Sequence, residues 1–186
     1  ELGLRPLAVH LDNGWDSELA QKNIELVLKK LNIDLYTYVI NWHEFRDLQL
    51  SFLKSSTPDL EVPSDHAIIA LLYKAASKYK LEYILTGLNM ATESVHATAW
   101  SNGIYDWKYI YNIHKKFGEI NLKSYIYFTL PLFVYYRFIL NIKRISLLDY
   151  LEYNRKNTVL LLEDKLGWRD YAHKHYESLY TKFFQG

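Results

Sequence analysis

Leu7-Ala8-Val9-His10-Leu11-Asp12-Asn13-Gly14-Trp15-Asp16-Ser17 decides how the chain is read. Its first five residues form a short apolar run that stops at Asp12-Asn13-Gly14. Asn and Gly tolerate positive φ, so the pattern predicts a buried strand running into a turn. Asp16 or Ser17 is placed to cap a helix, and Ala20, Ile24, Val27, Leu28 and Leu31 then fall on one helical face. Residues 35 to 40, Leu-Tyr-Thr-Tyr-Val-Ile, are β-favouring and give a second strand at the distance a βαβ crossover requires.

Outward from this unit, residues 41 to 64 mix Trp42, His43, Glu44 and Phe45 with a polar stretch, Pro58 and Pro63, which predicts a helical turn and then a loop. A second helix starts at Ser64 or Asp65, with Ala67, Ile68, Leu71, Leu72, Ala75, Ala76 and Tyr79 as its buried stripe. Leu81 to Leu85 is a third strand, ending at Thr86-Gly87. This β-α-β-α-β alternation predicts an α/β fold, a Rossmann-like open parallel sheet with flanking helices over residues 1–104.

The alternation stops near residue 105, and 9 of the 17 tyrosines lie between Tyr105 and Tyr153. Residues 105–186 are expected to be mainly helical and packed as one unit with the first part. Ser146 and Asp149 have the spacing of a capping box, with Ile145 and Tyr150 as its staple. Gly167 reads as the glycine ending a helix that runs through Val159 to Leu166.

Composition narrows the function. The chain has 186 residues, 49% hydrophobic and 23% charged, as in an ordinary folded domain. It has no cysteine, which excludes thiol catalysis and cysteine-ligated metal within these residues. A net charge of +1 gives no large field for nucleic acid. The most apolar stretch, Phe128 to Ile142, carries Pro131 and Arg137 and is too short to span a bilayer, so no membrane insertion is expected. The first residues lack the pattern of a secretory signal, and a cytoplasmic location is expected.

Two strand ends carry polar, glycine-containing turns, Asp12-Asn13-Gly14 and Thr86-Gly87-Leu88-Asn89, the latter followed by Thr92-Glu93. Neighbouring parallel strands would put both turns on one sheet edge, where backbone approaches a nucleotide and a carboxylate holds Mg²⁺, giving an ATP site. A third cluster, Gly167-Trp168-Arg169-Asp170-Tyr171 with Lys174-His175-Tyr176-Glu177-Ser178, crowds charged, aromatic and imidazole groups. It also reads as an amphipathic helix pairing His173 with Glu177 at i, i+4. A metal site of His173, His175 and Glu177 is the poorer reading, because H-x-H does not put both rings on one helical face.

Residues 7 to 17, residues 86 to 93 and the cluster from Gly167 to Ser178 resemble the N-acetyl sugar amidotransferases of surface-polysaccharide biosynthesis, in the PP-loop ATP pyrophosphatase superfamily. The resemblance implies ATP-dependent adenylation of a sugar acetamido oxygen, attack by ammonia, and release of AMP to leave an acetamidino sugar. It implies Asp12, Asn13, Gly14, Gly87, Asn89 and Thr92 at ATP and Glu93 at Mg²⁺. It further implies Trp168, Arg169 and Ser178 at a nucleotide-activated N-acetyl sugar, with Lys174, His175 and Glu177 in catalytic roles. Without a cysteine nucleophile the chain is no glutaminase, so ammonia is expected free or from a separate glutaminase subunit. The family's S-G-G-x-D-S loop does not occur in these residues, and the chain is expected to be an internal fragment of such an enzyme. The competing expectations are another PP-loop ligase or thiolase, of tRNA or NAD synthetase type, and an inactive nucleotide- or sugar-binding module.

Overall fold

The computed structural model describes residues 3–88, 103–171 and 176–185. Two compact units emerge, Glu1–Tyr38 with Tyr153–Gly186, and Val39–Glu152. The sequence boundary near residue 105 falls inside the second. The fold is mixed α/β, with small parallel sheets flanked by helices, but the three strands expected in one open sheet do not share one: residues 7–12 neighbour 34–39, while residues 83–86 pair instead with 143–146, so the turns after Asp12 and Thr86 do not lie on one sheet edge.

In the first unit, β1 (Leu7–Asp12) is followed by α1 (Glu18–Leu31) and β2 (Asp34–Val39), and β1 and β2 are sheet neighbours. Ser17 caps α1, its Oγ accepting from the Ala20 amide at 3.2 Å. Asn32 closes the helix in the left-handed region. The helix face departs from the simple apolar stripe: Ala20 and Asn23 are buried, Ile24, Val27 and Leu28 half-buried, and Leu31 is exposed. The chain's last quarter adds α6 (Arg155–Leu166) and α7 (Leu179–Gln185), with α6 against α1. Gly167 ends α6 at φ +69°, a conformation that residues with a Cβ adopt at a cost, as its place in the sequence predicts.

The second unit holds α2 (Trp42–Ser55), α3 (Val62–Lys78), β3 (Tyr83–Thr86) and α4 (Trp107–Phe117). It continues with α5 (Leu130–Val134), a wider π turn at Tyr135–Ile139, and β4 (Lys143–Ser146). Instead of a single helical turn, residues 42–55 form a full helix, because Asn41 caps it and Phe45, Leu48 and Phe52 recur on one wholly buried face. α3 begins at Val62, before Ser64, with Pro63 in its first turn where a missing N–H costs nothing. Its buried side includes His66, Ile69 and Tyr73, while Ile68 and Tyr79 are exposed.

β3 pairs in parallel with β4, from Tyr83 opposite Lys143 to Thr86 opposite Ser146. A strand therefore occupies part of the stretch expected to be helical. Ser146 is its last residue, and its side chain makes no cap bond to the following 3₁₀ turn, Leu147–Tyr150. The capping-box reading fails here because the pairing with β3, distant in sequence, claims the backbone first.

Two carboxylates of α2 fasten the segment after α4. Glu44 Oε2 accepts from the amides of Lys123, Ser124 and Tyr125 at 2.9, 2.8 and 3.0 Å. Asp47 Oδ2 accepts from those of Glu119 and Ile120 at 2.8 and 2.9 Å. Beside them the buried His114 donates through Nε2 to the Ile120 carbonyl at 2.6 Å, since a carbonyl can only accept. A Cβ on Gly118 would stand 2.4 Å from His114 Cε1. Gly118→Ala is thus expected to lower the unfolding free energy by about 1–3 kcal/mol through overpacking. Urea titration checks this, and an unchanged midpoint at unchanged m-value would mean that the ring has room to retreat.

Candidate functional site

The turn after β1 is built by its own side chains. Asp12 Oδ1 accepts from the Gly14 amide at 3.0 Å and Asn13 Oδ1 from the Trp15 amide at 3.1 Å. Gly14 takes φ +79°, which the tight reversal requires. This turn delivers Trp15 to Ser17 against the segment before α7: Ser17 N donates to Glu177 O at 2.9 Å, and Leu179 N to Trp15 O at 2.8 Å. Asp16 and Ser178 form an antiparallel bridge, and the Trp15 and Tyr180 rings stack at 5.3 Å. Segments from opposite ends of the sequence thus form one structure.

Within it, His10 Nε2 lies 3.0 Å from Asp16 Oδ2, both side chains about one-fifth exposed. The hydrogen bond to Asp16 raises the imidazole pKa above its ordinary 6.5; burial opposes this, and the charges of Asp16 and Asp12 add to it. Among the described residues His10 Nδ1 has no hydrogen-bond partner.

Asn23 of α1 clamps the other side. Its Nδ2 donates to the Arg169 carbonyl at 2.8 Å and its Oδ1 accepts from the Arg169 amide at 3.0 Å. With Asn23 only 2% exposed, this two-point bond matches a buried amide to a strand-like backbone and leaves neither group unsatisfied. It fixes residues 168–171, whose Trp168 and Tyr171 rings meet edge to face at 5.3 Å. Burial raises the Tyr171 hydroxyl pKa.

Two concavities result. One, of about 280 Å³, is walled by Leu28 and Leu35, by Trp168 and Tyr171, and by His10 and Asn23. It has the apolar and aromatic walls with a few placed polar groups that small-molecule sites share. The other is a cleft of about 630 Å³ bordered by Lys22, Glu25, Gly167 and Arg169. Arg169, with Lys22, whose Nζ also pairs with Glu18 at 3.8 Å, supplies the cations there for an anionic group.

The residues singled out in the sequence are placed as follows. Asp12, Asn13, Gly14, Trp168, Arg169, Glu177 and Ser178 all belong to the first unit, and Gly87 to the second. Lys174, His173 and His175 lie outside the described residues, as do Asn89, Thr92 and Glu93. The Ser178 hydroxyl accepts from the Thr181 amide at 3.3 Å, at the start of α7. Among the described residues none lies within 4 Å of where a Cβ on Gly87 would stand.

The fit to ATP is partial. The amides of Gly14 and Trp15 are taken by Asp12 and Asn13, so the turn offers no backbone cradle for phosphate. It retains Asp12 Oδ2 and Asn13 Nδ2, without hydrogen-bond partners among the described residues, which suit ribose hydroxyls or an adenine edge. Among the described residues no group of three or more His, Cys, Asp or Glu side chains has the arrangement to hold a metal ion. Nor, among them, is any helix long and apolar enough to cross a membrane.

His10, Asp16, Lys22, Asn23 and Tyr171 are the site residues that the sequence reading did not assign. Two signals were available: a histidine inside an apolar strand run, and an asparagine on the inward face of α1. Comparison of the chain with protein-family models, curated proteins and solved structures found no match.

Proposed function

We propose that the chain belongs to an ATP-dependent amidotransferase that converts the acetamido group of a nucleotide-linked sugar to an acetamidino group, using ammonia. The observation that supports this most is a cleft bearing Lys22 and Arg169 beside an aromatic-walled concavity, each lined in part by residues between Gly167 and Tyr171, the cluster that carries the resemblance. A sugar diphosphate needs cations for its phosphates and a ring-faced pocket for its sugar.

In this reading Arg169 and Lys22 hold the diphosphate, and Trp168 packs against the sugar ring. Asp12 Oδ2 and Asn13 Nδ2 take the adenosine, and the resemblance alone gives Gly87, Asn89 and Thr92 a role at the phosphates. The resemblance gives Glu93 the Mg²⁺ role, and Mg²⁺ would supply charge neutralisation at the phosphates. ATP adenylates the acetamido oxygen, ammonia displaces AMP, and exclusion of water protects the adenylated group. The resemblance gives Lys174, His175 and Glu177 their catalytic roles. Ammonia comes from solution or a separate glutaminase subunit.

Arg169→Ala is expected to raise the KM for the nucleotide sugar about tenfold with little change in kcat, since a phosphate contact remote from the reacting carbon binds ground and transition states alike. Steady-state kinetics with product identified by mass spectrometry reads this. An unchanged KM would move the diphosphate away from Arg169.

A further inference from the structure

The His10–Asp16 pair has no part in the assignments above, yet it stands where chemistry on a bound ring would occur. His10 lies within β1, is tied at Nε2 to Asp16 at 3.0 Å, and borders the open concavity that Trp168 and Tyr171 also line. A carboxylate on one ring nitrogen fixes the ring plane and the tautomer, leaving the other nitrogen for a reactant, which is the geometry of an oriented base. Among the described residues Nδ1 is that nitrogen. The charged groups near the imidazole are Asp12 and Asp16, with the Tyr171 hydroxyl also on the cavity wall. From α1 and β2 the cavity receives only uncharged side chains, Asn23, Ile24, Val27, Leu28 and Leu35. Nothing cationic among these groups opposes protonation of the ring.

We propose that His10, oriented by Asp16, is the base that removes the proton from the ammonia nitrogen as it attacks the adenylated acetamido carbon, with that group seated in the cavity beside Trp168. The inference rests on the amidotransferase reading and adds a residue and a step to it. The step balances: the nitrogen lone pair forms the new N–C bond, the C–O bond to AMP breaks with its electron pair leaving on AMP, and the surplus N–H proton passes to His10 Nδ1. Asp16 is a positioning residue that also stabilises the imidazolium formed. Because the two carboxylates hold the imidazole pKa above 6.5, the base form becomes available only as pH rises through that higher value.

The test uses the full-length protein, with whatever residues its gene encodes on either side of this chain. Two reactions are followed: ATP–pyrophosphate exchange with an N-acetylated nucleotide sugar and no ammonia, and amidine formation with free ammonia held constant at each pH. The expected result is that His10→Gln keeps the exchange and loses about 100-fold in amidine formation. It should also lose the rising limb of the pH–rate profile. Asp16→Asn should retain a limb but shift it to lower pH, which a merely structural role would not do. Amidine formation by His10→Gln within about threefold of the parent, a small effect on the scale of general-base catalysis, overturns the inference while leaving the amidotransferase reading in place. Loss of the exchange together with amidination overturns it too, since His10 would then act before nitrogen attack. Absence of exchange in the parent with every acetamido sugar nucleotide tried overturns both.

Discussion

Glu44→Ala is expected to lower the unfolding free energy by about 3–4 kcal/mol, because it strands three backbone amides that a buried carboxylate now serves. No water-filled surface replaces it, since Glu44 is 7% exposed and the amide of Tyr125 is buried. Burial pushes the Glu44 carboxyl up, and the hydrogen bonds from Ser124, Lys123 and Tyr125 more than offset this, so it titrates below its ordinary 4.5. The sign of the pH effect follows. The folded state binds its proton less readily than the unfolded chain, so this stabilisation is complete above 4.5 and is lost as pH falls through the lower, folded value. Glu44→Gln should therefore destabilise at neutral pH and should flatten the loss of stability on acidification. Urea unfolding at a series of pH values measures both, and a Gln variant with the parent's acid slope would remove Glu44 from this role.

The second large effect is at the candidate site. Asn23→Ala removes both part-buried hydrogen bonds that hold the Arg169 N–H and C=O, for an expected loss of about 2–3 kcal/mol. Asn23→Asp separates donor from acceptor. The carboxylate still accepts from the Arg169 amide but faces the Arg169 carbonyl with a second oxygen where an N–H donor stood, so it should be destabilising as well. Equilibrium unfolding compared with Leu26→Ala, an exposed residue on the same helix, isolates the clamp. Equal stability of Asn23→Ala and the parent would mean that residues 168–171 are held by something else.

The strand-turn-helix-strand start was legible because each level agreed: apolar run, Asp-Asn-Gly turn, Ser17 cap and a return strand. Gly167 was equally legible, since a glycine just past a helix-favouring run is the usual place for left-handed backbone. β4 was not, because Lys143-Arg144-Ile145-Ser146 has no strand-like alternation and owes its conformation to β3, which lies far away in sequence. α2 was hidden by Trp42, His43 and the following prolines, which read as irregular chain until Asn41 is seen to cap it. The extremes of the candidate site could be marked from motifs, but the His10–Asp16 pair and the Asn23–Arg169 clamp could not. They join residues across a turn or from opposite ends of the chain, and single-sequence periodicity carries no such information.

Full-length protein is incubated with ATP, Mg²⁺, ammonium and N-acetylated nucleotide sugars, and nucleotide and sugar products are identified together by mass spectrometry. The expected products are AMP and pyrophosphate in step with a sugar in which NH has replaced the acetamido oxygen, dependent on both ATP and ammonium. ADP or no nucleotide product, with every acetamido sugar recovered unchanged, would contradict it.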